Sequence, residues 1–184
     1  MKFFKEKIMP SLVLCLMCAA ICALLVGAYE LTYVDNTGVM TDELTAGCED
    51  IFGEGQYSIL KDANGEVVLF NGITAVITDE SGERCLFEIY ADGYNTDGVH
   101  ILVGIGVEGE VEGIYFLSCG ETPGLGTKAT DKGYLAKYKG ISSSSAVPDV
   151  DNVTGASYTS KGLKSAIALA IDTYNENREA ILSE

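Results

Sequence analysis

The sequence has few of the residues that build metal sites. It contains one histidine, His100, no tryptophan and three prolines among 184 residues. Three of its six cysteines lie in an apolar N-terminal stretch, and the other three, Cys48, Cys85 and Cys119, form no C-x-x-C pair. Zinc and iron–sulfur sites need several closely spaced Cys or His ligands. We therefore expect no metal site built by this chain alone, and at most one internal disulfide.

Basic residues are also scarce. The chain has 12 Lys and Arg against 27 Asp and Glu, and its formal net charge is −15. Three of the basic residues and one of the acids precede residue 8, which leaves 9 basic and 26 acidic residues after it, a formal charge of −17. A field of that sign repels nucleic acid and anionic lipid headgroups. The sequence therefore predicts no nucleic-acid partner.

No charged residue interrupts the stretch from Ile8 to Tyr29. A helix of about 20 apolar residues spans a hydrocarbon core of about 30 Å. Basic residues on the N-terminal side of such a helix favour a cytoplasmic N-terminus, and three precede this one, Lys2, Lys5 and Lys7. We predict a cytoplasmic N-terminus and transmembrane anchor over residues 1–30, with the rest of the chain extracytoplasmic. A cleaved signal peptide is the alternative, although its apolar region of about 7–15 residues would be shorter.

Two amphipathic helices are predicted, one on each side of a strand-rich region. Residues 31–55 are expected to form a stalk or short helix, because the apolar residues of MTDELTAGCEDIF fall near helical spacing and acids occupy the other face. The terminal helix is predicted over 160–182, where one apolar stripe would pack on a sheet. Its members are Leu163, Ile167, Ala170, Ile171 and Tyr174.

Glycine-containing turns divide the region between these helices into runs of strand-forming residues. Turns are expected at Ala63-Asn64-Gly65, Ser81-Gly82 and Glu108-Gly109, each between two such runs. The predicted fold class is α+β, with an antiparallel meander of about six short strands and a packed C-terminal helix, all within a domain over 56–184. The runs are YSILK, EVVLF, ITAVITDE, RCLFEIYA, VHILVGIGV and EVEGIYFLS.

One glycine pattern, from Gly104 to Gly109, matches the G-x-G-x-x-G of dinucleotide-binding folds. That fingerprint must open a helix after its last glycine. Here a strand pattern resumes at Val111, so we interpret Gly109 as a hairpin turn. Farther along, DKGYLAKYK predicts a short helix, and ISSSSAVPDVDN predicts a flexible loop.

Two short segments carry the residues that point to function. The first, Thr154-Gly-Ala-Ser-Tyr-Thr-Ser160, opens the terminal helix. Taken alone, its hydroxyl groups are typical of helix caps, which accept hydrogen bonds from unpaired N–H groups. The second, Gly120-Glu-Thr-Pro-Gly-Leu-Gly-Thr-Lys128, follows a strand and concentrates turn-forming residues. Taken alone, it is typical of a turn whose backbone can approach a flat ligand closely.

Together the two segments resemble the FMN-binding domain of the G subunit of Rnf-type electron-transport complexes and of the C subunit of sodium-pumping NADH:quinone reductase. The resemblance implies that FMN is joined through its phosphate to the hydroxyl of Thr159, by a flavin transferase that uses FAD and magnesium. Residues around the phosphate and ribityl chain would then be Thr154, Gly155, Ala156, Ser157 and Ser160. Residues near the flavin ring would be Glu121, Thr122, Gly124, Leu125, Gly126 and Lys128, with backbone N–H groups of the Gly124–Gly126 turn donating to the ring.

The resemblance implies an electron-carrying subunit of a membrane complex that couples electron transfer between ferredoxin and NAD⁺ to ion translocation. The other subunits of that complex and the flavin transferase would be its partners. The short segment between anchor and first strand favours the Rnf G subunit over the longer quinone-reductase C subunit. Two alternatives stay open: a separate membrane-tethered FMN carrier for extracytoplasmic acceptors, and a non-redox domain in which Thr159 is only a helix cap.

Overall fold

The computed structural model describes residues 9–33 and 38–182, which belong to two separate compact units. One unit comprises Met1–Asn36 and the other Thr37–Glu184. The three lysines on which the predicted orientation depends, Lys2, Lys5 and Lys7, lie outside the described residues.

The N-terminal unit contains helix α1, Met9–Thr32, of 24 residues. Among the described residues it is the one helix long and apolar enough to cross a membrane. None of its residues is buried within the protein, and its leucine, valine and methionine side chains are exposed. Exposed apolar side chains around a whole helix are typical of a segment that lies in lipid. The predicted N-terminal apolar helix is confirmed, and it indicates membrane anchoring.

The second unit is built on one antiparallel sheet of five strands. The strands pair in chain order, β1 to β5, so the predicted meander is confirmed. Glycines in the left-handed region close two of the hairpins, Gly82 with φ of 65° and Gly109 with φ of 87°. The strands are β1 Tyr57–Ile59, β2 Ala75–Asp79, β3 Cys85–Ala91, β4 Val99–Ile105 and β5 Val111–Cys119.

The prediction of a sixth strand at EVVLF is wrong. This segment contributes one isolated bridge, between Lys61 and Val67. The chain turns again almost at once, where Ile73 N–H donates to the Phe70 carbonyl and Gly72 has φ of 79°. The arm between the two turns is joined to the preceding segment by two backbone hydrogen bonds, from Asp62 N–H to the Glu66 carbonyl at 2.8 Å and from Val68 N–H to the Leu60 carbonyl at 3.0 Å, although its composition is typical of a full strand.

The two faces of the sheet pack against different helices. Helix α2, Asp42–Phe52, lies on β4 and β5, and the Thr41 hydroxyl caps its start by accepting from Leu44 N–H at 3.2 Å. Gly47 allows this close approach, because a Cβ there would lie 2.6 Å from a Leu102 methyl carbon. Residues 38–52 therefore pack within the same unit as the sheet, while the predicted boundary at residue 55 stays a prediction.

Helix α4, Ser157–Leu182, covers the opposite face and packs on β3 and β4. All five residues of its predicted apolar stripe are buried in the main core. Near its start, α4 passes so close to the chain after β3 that a Cβ on Gly162 would lie 2.3 Å from the Asp92 carbonyl oxygen. A helix packed on one sheet face confirms the α+β class and places the first turn of α4 beside the loop between β3 and β4.

Short helical segments connect β5 to α4. The predicted short helix is present as α3, Lys132–Leu135. The segment predicted as a flexible loop instead contains a 3₁₀ helix over Ser144–Asp149. Val147 is fully buried there, and Lys164 Nζ donates to the Pro148 and Val150 carbonyl oxygens. These tertiary contacts order a segment whose serine-rich composition predicts flexibility.

Candidate functional site

The loop that follows β5 is closed by its own hydrogen bonds. The Thr122 carbonyl accepts from the N–H groups of Leu125, at 3.1 Å, and Thr127, at 3.4 Å. Gly124 lies in the left-handed region with φ of 75°, and its N–H donates to the Thr127 hydroxyl at 2.9 Å. Two of the N–H groups expected to face a ligand, those of Gly124 and Leu125, are therefore engaged within the loop.

A buried hydrogen bond joins this loop to the start of α4. The Thr159 hydroxyl donates to Oε2 of Glu121. Both side chains are nearly inaccessible, with 1% of Thr159 and 4% of Glu121 exposed. The two segments singled out from the sequence thus meet at these two side chains, 38 residues apart.

Backbone N–H groups from the loop between β3 and β4 hold the Glu121 carboxylate. Tyr94 N–H donates to Oε2 and Asn95 N–H to Oε1, each at 3.0 Å. The Asn95 side-chain amide also donates to the Gly120 carbonyl at 2.5 Å, which ties the two loops together. Burial raises the pKa of Glu121, but hydrogen bonds from the Thr159 hydroxyl and these two N–H groups outweigh it. The net effect holds the pKa below its ordinary value, so the group is a carboxylate near neutral pH.

Three glycines leave the space that this carboxylate occupies. A Cβ on Gly93 would lie 2.7 Å from Glu121 Oε1, and one on Gly98 would lie 2.1 Å from the same atom. A Cβ on Gly126 would lie 2.6 Å from Glu121 Cβ and 2.8 Å from the Thr159 hydroxyl oxygen. Any side chain at these positions would displace the carboxylate or its partner, so the glycines are needed for the pair to form.

The Glu121–Thr159 pair lies at a cleft of about 390 Å³. Ligand sites have volumes of about 300–1,000 Å³, so the cleft is large enough for a small organic cofactor. Its rim carries exposed apolar side chains, including Leu125, and the rings of Tyr94 and Tyr158 meet edge to face with centroids 6.3 Å apart. The lining residues are Tyr94, Glu121, Thr122, Leu125, Gly126, Gly155, Ala156, Ser157, Tyr158 and Thr159.

Eight of the twelve site residues predicted from the sequence line this cleft, and four do not. Thr154 and Lys128 are exposed away from its lining, and Gly124 shapes the turn behind it. Ser160 is fully buried, and its hydroxyl accepts from Val153 N–H at 3.0 Å. Ser160 therefore fixes the approach to α4 rather than facing the cleft.

Tyr94, Asn95 and Tyr158 belong to the site but are not among the residues predicted from the sequence. Tyr158 lies inside the helix-start segment and is 69% exposed. Tyr94 and Asn95 lie in Asp-Gly-Tyr-Asn-Thr-Asp-Gly. The turn-forming composition of this segment predicts a loop but does not indicate which residues the loop contacts. No local signal pairs this loop with a carboxylate 26 residues later.

The described residues contain no group of three or more His, Cys, Asp or Glu side chains placed to hold a metal ion. Cys48 and Cys85 are buried in the two cores on opposite faces of the sheet, and both are free thiols. His100 is hydrogen-bonded to Glu88 at 2.8 Å, on β4 and β3. Of the carboxyl, imidazole, thiol and amino groups on the described residues, the one that lines the cleft is the Glu121 carboxylate.

The part of the chain that contains this cleft is similar to known proteins. Residues 93–172 match the family described as the FMN-binding domain, a range that contains both loops of the site and the start of α4. The chain is 31% identical over 164 residues to the G subunit of the ion-translocating oxidoreductase complex of Shewanella baltica, and the match covers 77% of this chain and 69% of the relative.

The chain belongs to the family of G subunits of ion-translocating oxidoreductase complexes.

Two further members of this family show how far the similarity extends. The G subunit of the corresponding complex of Shewanella piezotolerans is 34% identical over 104 residues, covering 50% of this chain and 49% of the relative. The G subunit of the Na⁺-translocating ferredoxin:NAD⁺ oxidoreductase complex of Acetobacterium woodii is 28% identical over 123 residues, covering 61% and 52%. The chain therefore spans about half the length of these two relatives.

The match to the FMN-binding domain supports FMN as the cofactor, and the cleft fits such a group. A flavin needs apolar surface for its ring, and Leu125, Tyr94 and Tyr158 supply it at the rim. A phosphate needs hydrogen-bond donors and little steric bulk, and the first turn of α4 supplies unpaired N–H groups beside Gly155 and Ala156.

Proposed function

We propose that this chain is the electron-carrying G subunit of a membrane complex that couples electron transfer between ferredoxin and NAD⁺ to ion translocation. It carries FMN joined through its phosphate to the Thr159 hydroxyl. The observation that supports this most directly is the position of Thr159, at the start of α4 and against the cleft of an FMN-binding domain. The names of the relatives from Shewanella and Acetobacterium woodii support the complex and its reaction.

The helix start suits a phosphodiester on physical grounds. The N–H groups of the first helical turn have no partner within the helix, and the helix dipole places partial positive charge there. Ser157 lies in the same turn and lines the cleft, so its hydroxyl can donate to a phosphate oxygen. Gly155, with φ of 81°, and the small Ala156 leave the approach to the helix open. These groups would hold the phosphate and orient the chain that follows it.

The role of a simple helix cap is less well supported. A cap accepts a hydrogen bond from a helix N–H group, whereas the Thr159 hydroxyl donates to a carboxylate on another segment. The cleft also has an exposed aromatic rim that a capping role would not require. Both features favour an attachment site.

FMN supplies one- and two-electron chemistry when bound, and the protein supplies position and environment. Leu125, Tyr94 and Tyr158 would cover part of the ring and limit its contact with water. The engaged N–H groups of Gly124 and Leu125 would keep the loop rigid rather than donate to the ring. A rigid binding site would keep the distance between the flavin and neighbouring redox centres constant.

The proposal also covers how the cofactor is attached and on which side of the membrane the FMN domain lies. A flavin transferase using FAD and magnesium would attach the cofactor, and helix α1 would hold the FMN domain at the membrane on its extracytoplasmic side. Covalent attachment suits that location, because a domain outside the cell cannot exchange its cofactor with a cytoplasmic pool. The other subunits of the complex would exchange electrons with it.

The test is co-expression of the full chain with a flavin transferase, followed by intact mass and peptide mapping. We expect one added mass of FMN less water on the peptide that contains Thr159, and its loss in Thr159→Val. Ser160→Ala is the matched control, because that neighbouring hydroxyl is bonded to Val153 N–H away from the cleft. Flavin that stays on denatured Thr159→Val would contradict the attachment site, and an unmodified wild-type chain would contradict covalent attachment.

A further inference from the structure

The Glu121 carboxylate is arranged as a fixed hydrogen-bond acceptor for one hydroxyl. Its Oε2 accepts from Thr159 and from Tyr94 N–H, and its Oε1 accepts from Asn95 N–H. Only 4% of the residue is exposed, and three glycines make room for it. A buried carboxylate is costly unless its oxygens are paired, and this one is paired by two backbone N–H groups and the Thr159 hydroxyl.

A threonine hydroxyl is a weak nucleophile that must lose its proton as it bonds to phosphorus. General bases in proteins act from hydrogen-bond distance and raise rates by about 10²–10⁴-fold. Among the described residues that line the cleft, Glu121 alone carries a carboxylate, imidazole or amino group. Lys128, which the sequence places nearby, is exposed and lies away from the lining.

We propose that Glu121 is the general base for modification of Thr159, so that this protein supplies part of the catalytic machinery for its own flavin attachment. The proposal rests on the proposed function. Thr159 Oγ1 forms a bond to the phosphorus on the FMN side of the FAD diphosphate, and the bond from that phosphorus to the AMP oxygen breaks. The hydroxyl proton passes to Glu121 Oε2 and AMP leaves, with no change in oxidation state.

The same geometry serves the product. Once Oγ1 is esterified, it has no proton to donate, and a phosphodiester anion lies next to Glu121. Two like charges in a buried site repel each other strongly. A proton retained on Glu121 removes that repulsion and restores a hydrogen bond, now donated by the carboxyl group. Glu121 therefore acts as the base during the reaction and, once protonated, lies as a neutral carboxyl group beside the phosphodiester on Thr159.

The experiment uses the purified full-length chain in detergent with a purified flavin transferase, FAD and Mg²⁺, and follows the mass of the chain with time. Glu121→Gln keeps the size of the side chain but removes the base. We expect kcat for modification to fall by about 10²–10⁴-fold, with the KM for the chain little changed. Glu88→Gln is the matched control, because it removes the negative charge of a largely buried glutamate on β3, outside the cleft. It should be modified at the wild-type rate.

Other outcomes separate this inference from the function on which it rests. A wild-type kcat in Glu121→Gln, or a change in KM alone, overturns the role of Glu121 while leaving attachment at Thr159 intact. A wild-type chain that is never modified overturns both. If Glu121→Gln does not fold, judged by circular dichroism, Glu121→Asp decides instead. That variant keeps the carboxylate but withdraws it by one methylene, so kcat should lie between those of wild type and zero, and an unchanged kcat overturns the proposal.

Discussion

The Thr159 hydroxyl donates a hydrogen bond to the Glu121 carboxylate, which joins the first turn of α4 to the loop after β5. Around this bond the structure assembles a third segment, because Tyr94 and Asn95 donate to the same carboxylate from the loop between β3 and β4. Three segments far apart in sequence thus share one buried acceptor. Stability, attachment of the cofactor and the shape of the cleft should all respond to changes at this point.

The first prediction concerns acid stability. The folded state holds the pKa of Glu121 below its ordinary value, so the unfolded chain binds a proton more readily there. The contribution of this group to stability is therefore complete above its unfolded pKa and is lost as the pH falls through the folded pKa. In urea unfolding of the apo chain, wild type should exceed Glu121→Gln in stability near pH 7, and the difference should shrink below about pH 4.5. A difference that stays constant with pH would contradict this assignment.

The second prediction separates two glycines of the loop after β5. A Cβ on Gly126 would lie 2.6 Å from Glu121 Cβ and 2.8 Å from the Thr159 hydroxyl, whereas one on Gly124 would meet no atom within 4 Å. Gly126→Ala should therefore slow flavin attachment and cost about 1–3 kcal/mol from overpacking. Gly124→Ala should cost about 1–2 kcal/mol from its left-handed backbone and still be modified at the wild-type rate.

Mass spectrometry of the two variants after co-expression with a flavin transferase makes that comparison. The resemblance places Gly126 near the flavin ring, and on that basis bulk at this position would be expected to alter the flavin's reduction potential and leave the linkage intact. The structure changes this expectation, since Gly126 lies against the attachment pair itself. Full modification of Gly126→Ala would show that the pair tolerates displacement and would restore the original expectation.

The third prediction concerns the contact between α4 and the loop after β3. A Cβ on Gly162 would lie 2.3 Å from the Asp92 carbonyl oxygen and 2.9 Å from its carbon, and neither atom can move alone. Gly162→Ala should cost about 1–3 kcal/mol and lower Tm by about 2–4 °C for each kcal/mol. Gly55→Ala is the control, because its Cβ would meet Tyr57 only at ordinary contact distances of 3.6–3.8 Å. Equal Tm values for the two variants would contradict this packing.

The fourth prediction concerns orientation in the membrane. Basic residues before the apolar helix favour a cytoplasmic N-terminus, so the FMN domain should lie on the other side. A reporter active only outside the cytoplasm should work when fused after Glu184, and replacing Lys2, Lys5 and Lys7 by glutamate should reduce its activity. A cytoplasm-only reporter that works at the same position would reverse the topology and place the flavin on the inner face.

Some parts of this structure could be predicted because their signals are local. The apolar run of α1 is typical of a helix in contact with lipid, and the 3.6-residue periodicity of α4 is typical of a helix that packs one face on a sheet. Glycines at the hairpins reveal turns because few other residues adopt a positive φ. Errors occurred where a short segment depended on distant partners. The run EVVLF forms a single bridge, between Val67 and Lys61, before the chain turns again at Gly72, and Val147 orders its serine-rich segment by entering the core.

The sequence by itself determined the class of the protein, the anchor and the candidate attachment residue, because these depend on composition and on short contiguous motifs. Only the tertiary structure decided what surrounds Thr159. Its pairing with Glu121, the N–H groups of Tyr94 and Asn95, and the need for glycine at 93 and 98 all arise between segments separated by more than twenty residues. Such contacts are fixed by strand order and by the distance at which α4 packs on the sheet. A local sequence pattern predicts neither the strand order nor this packing distance. The residues that surround Thr159 can therefore be identified only from the folded structure.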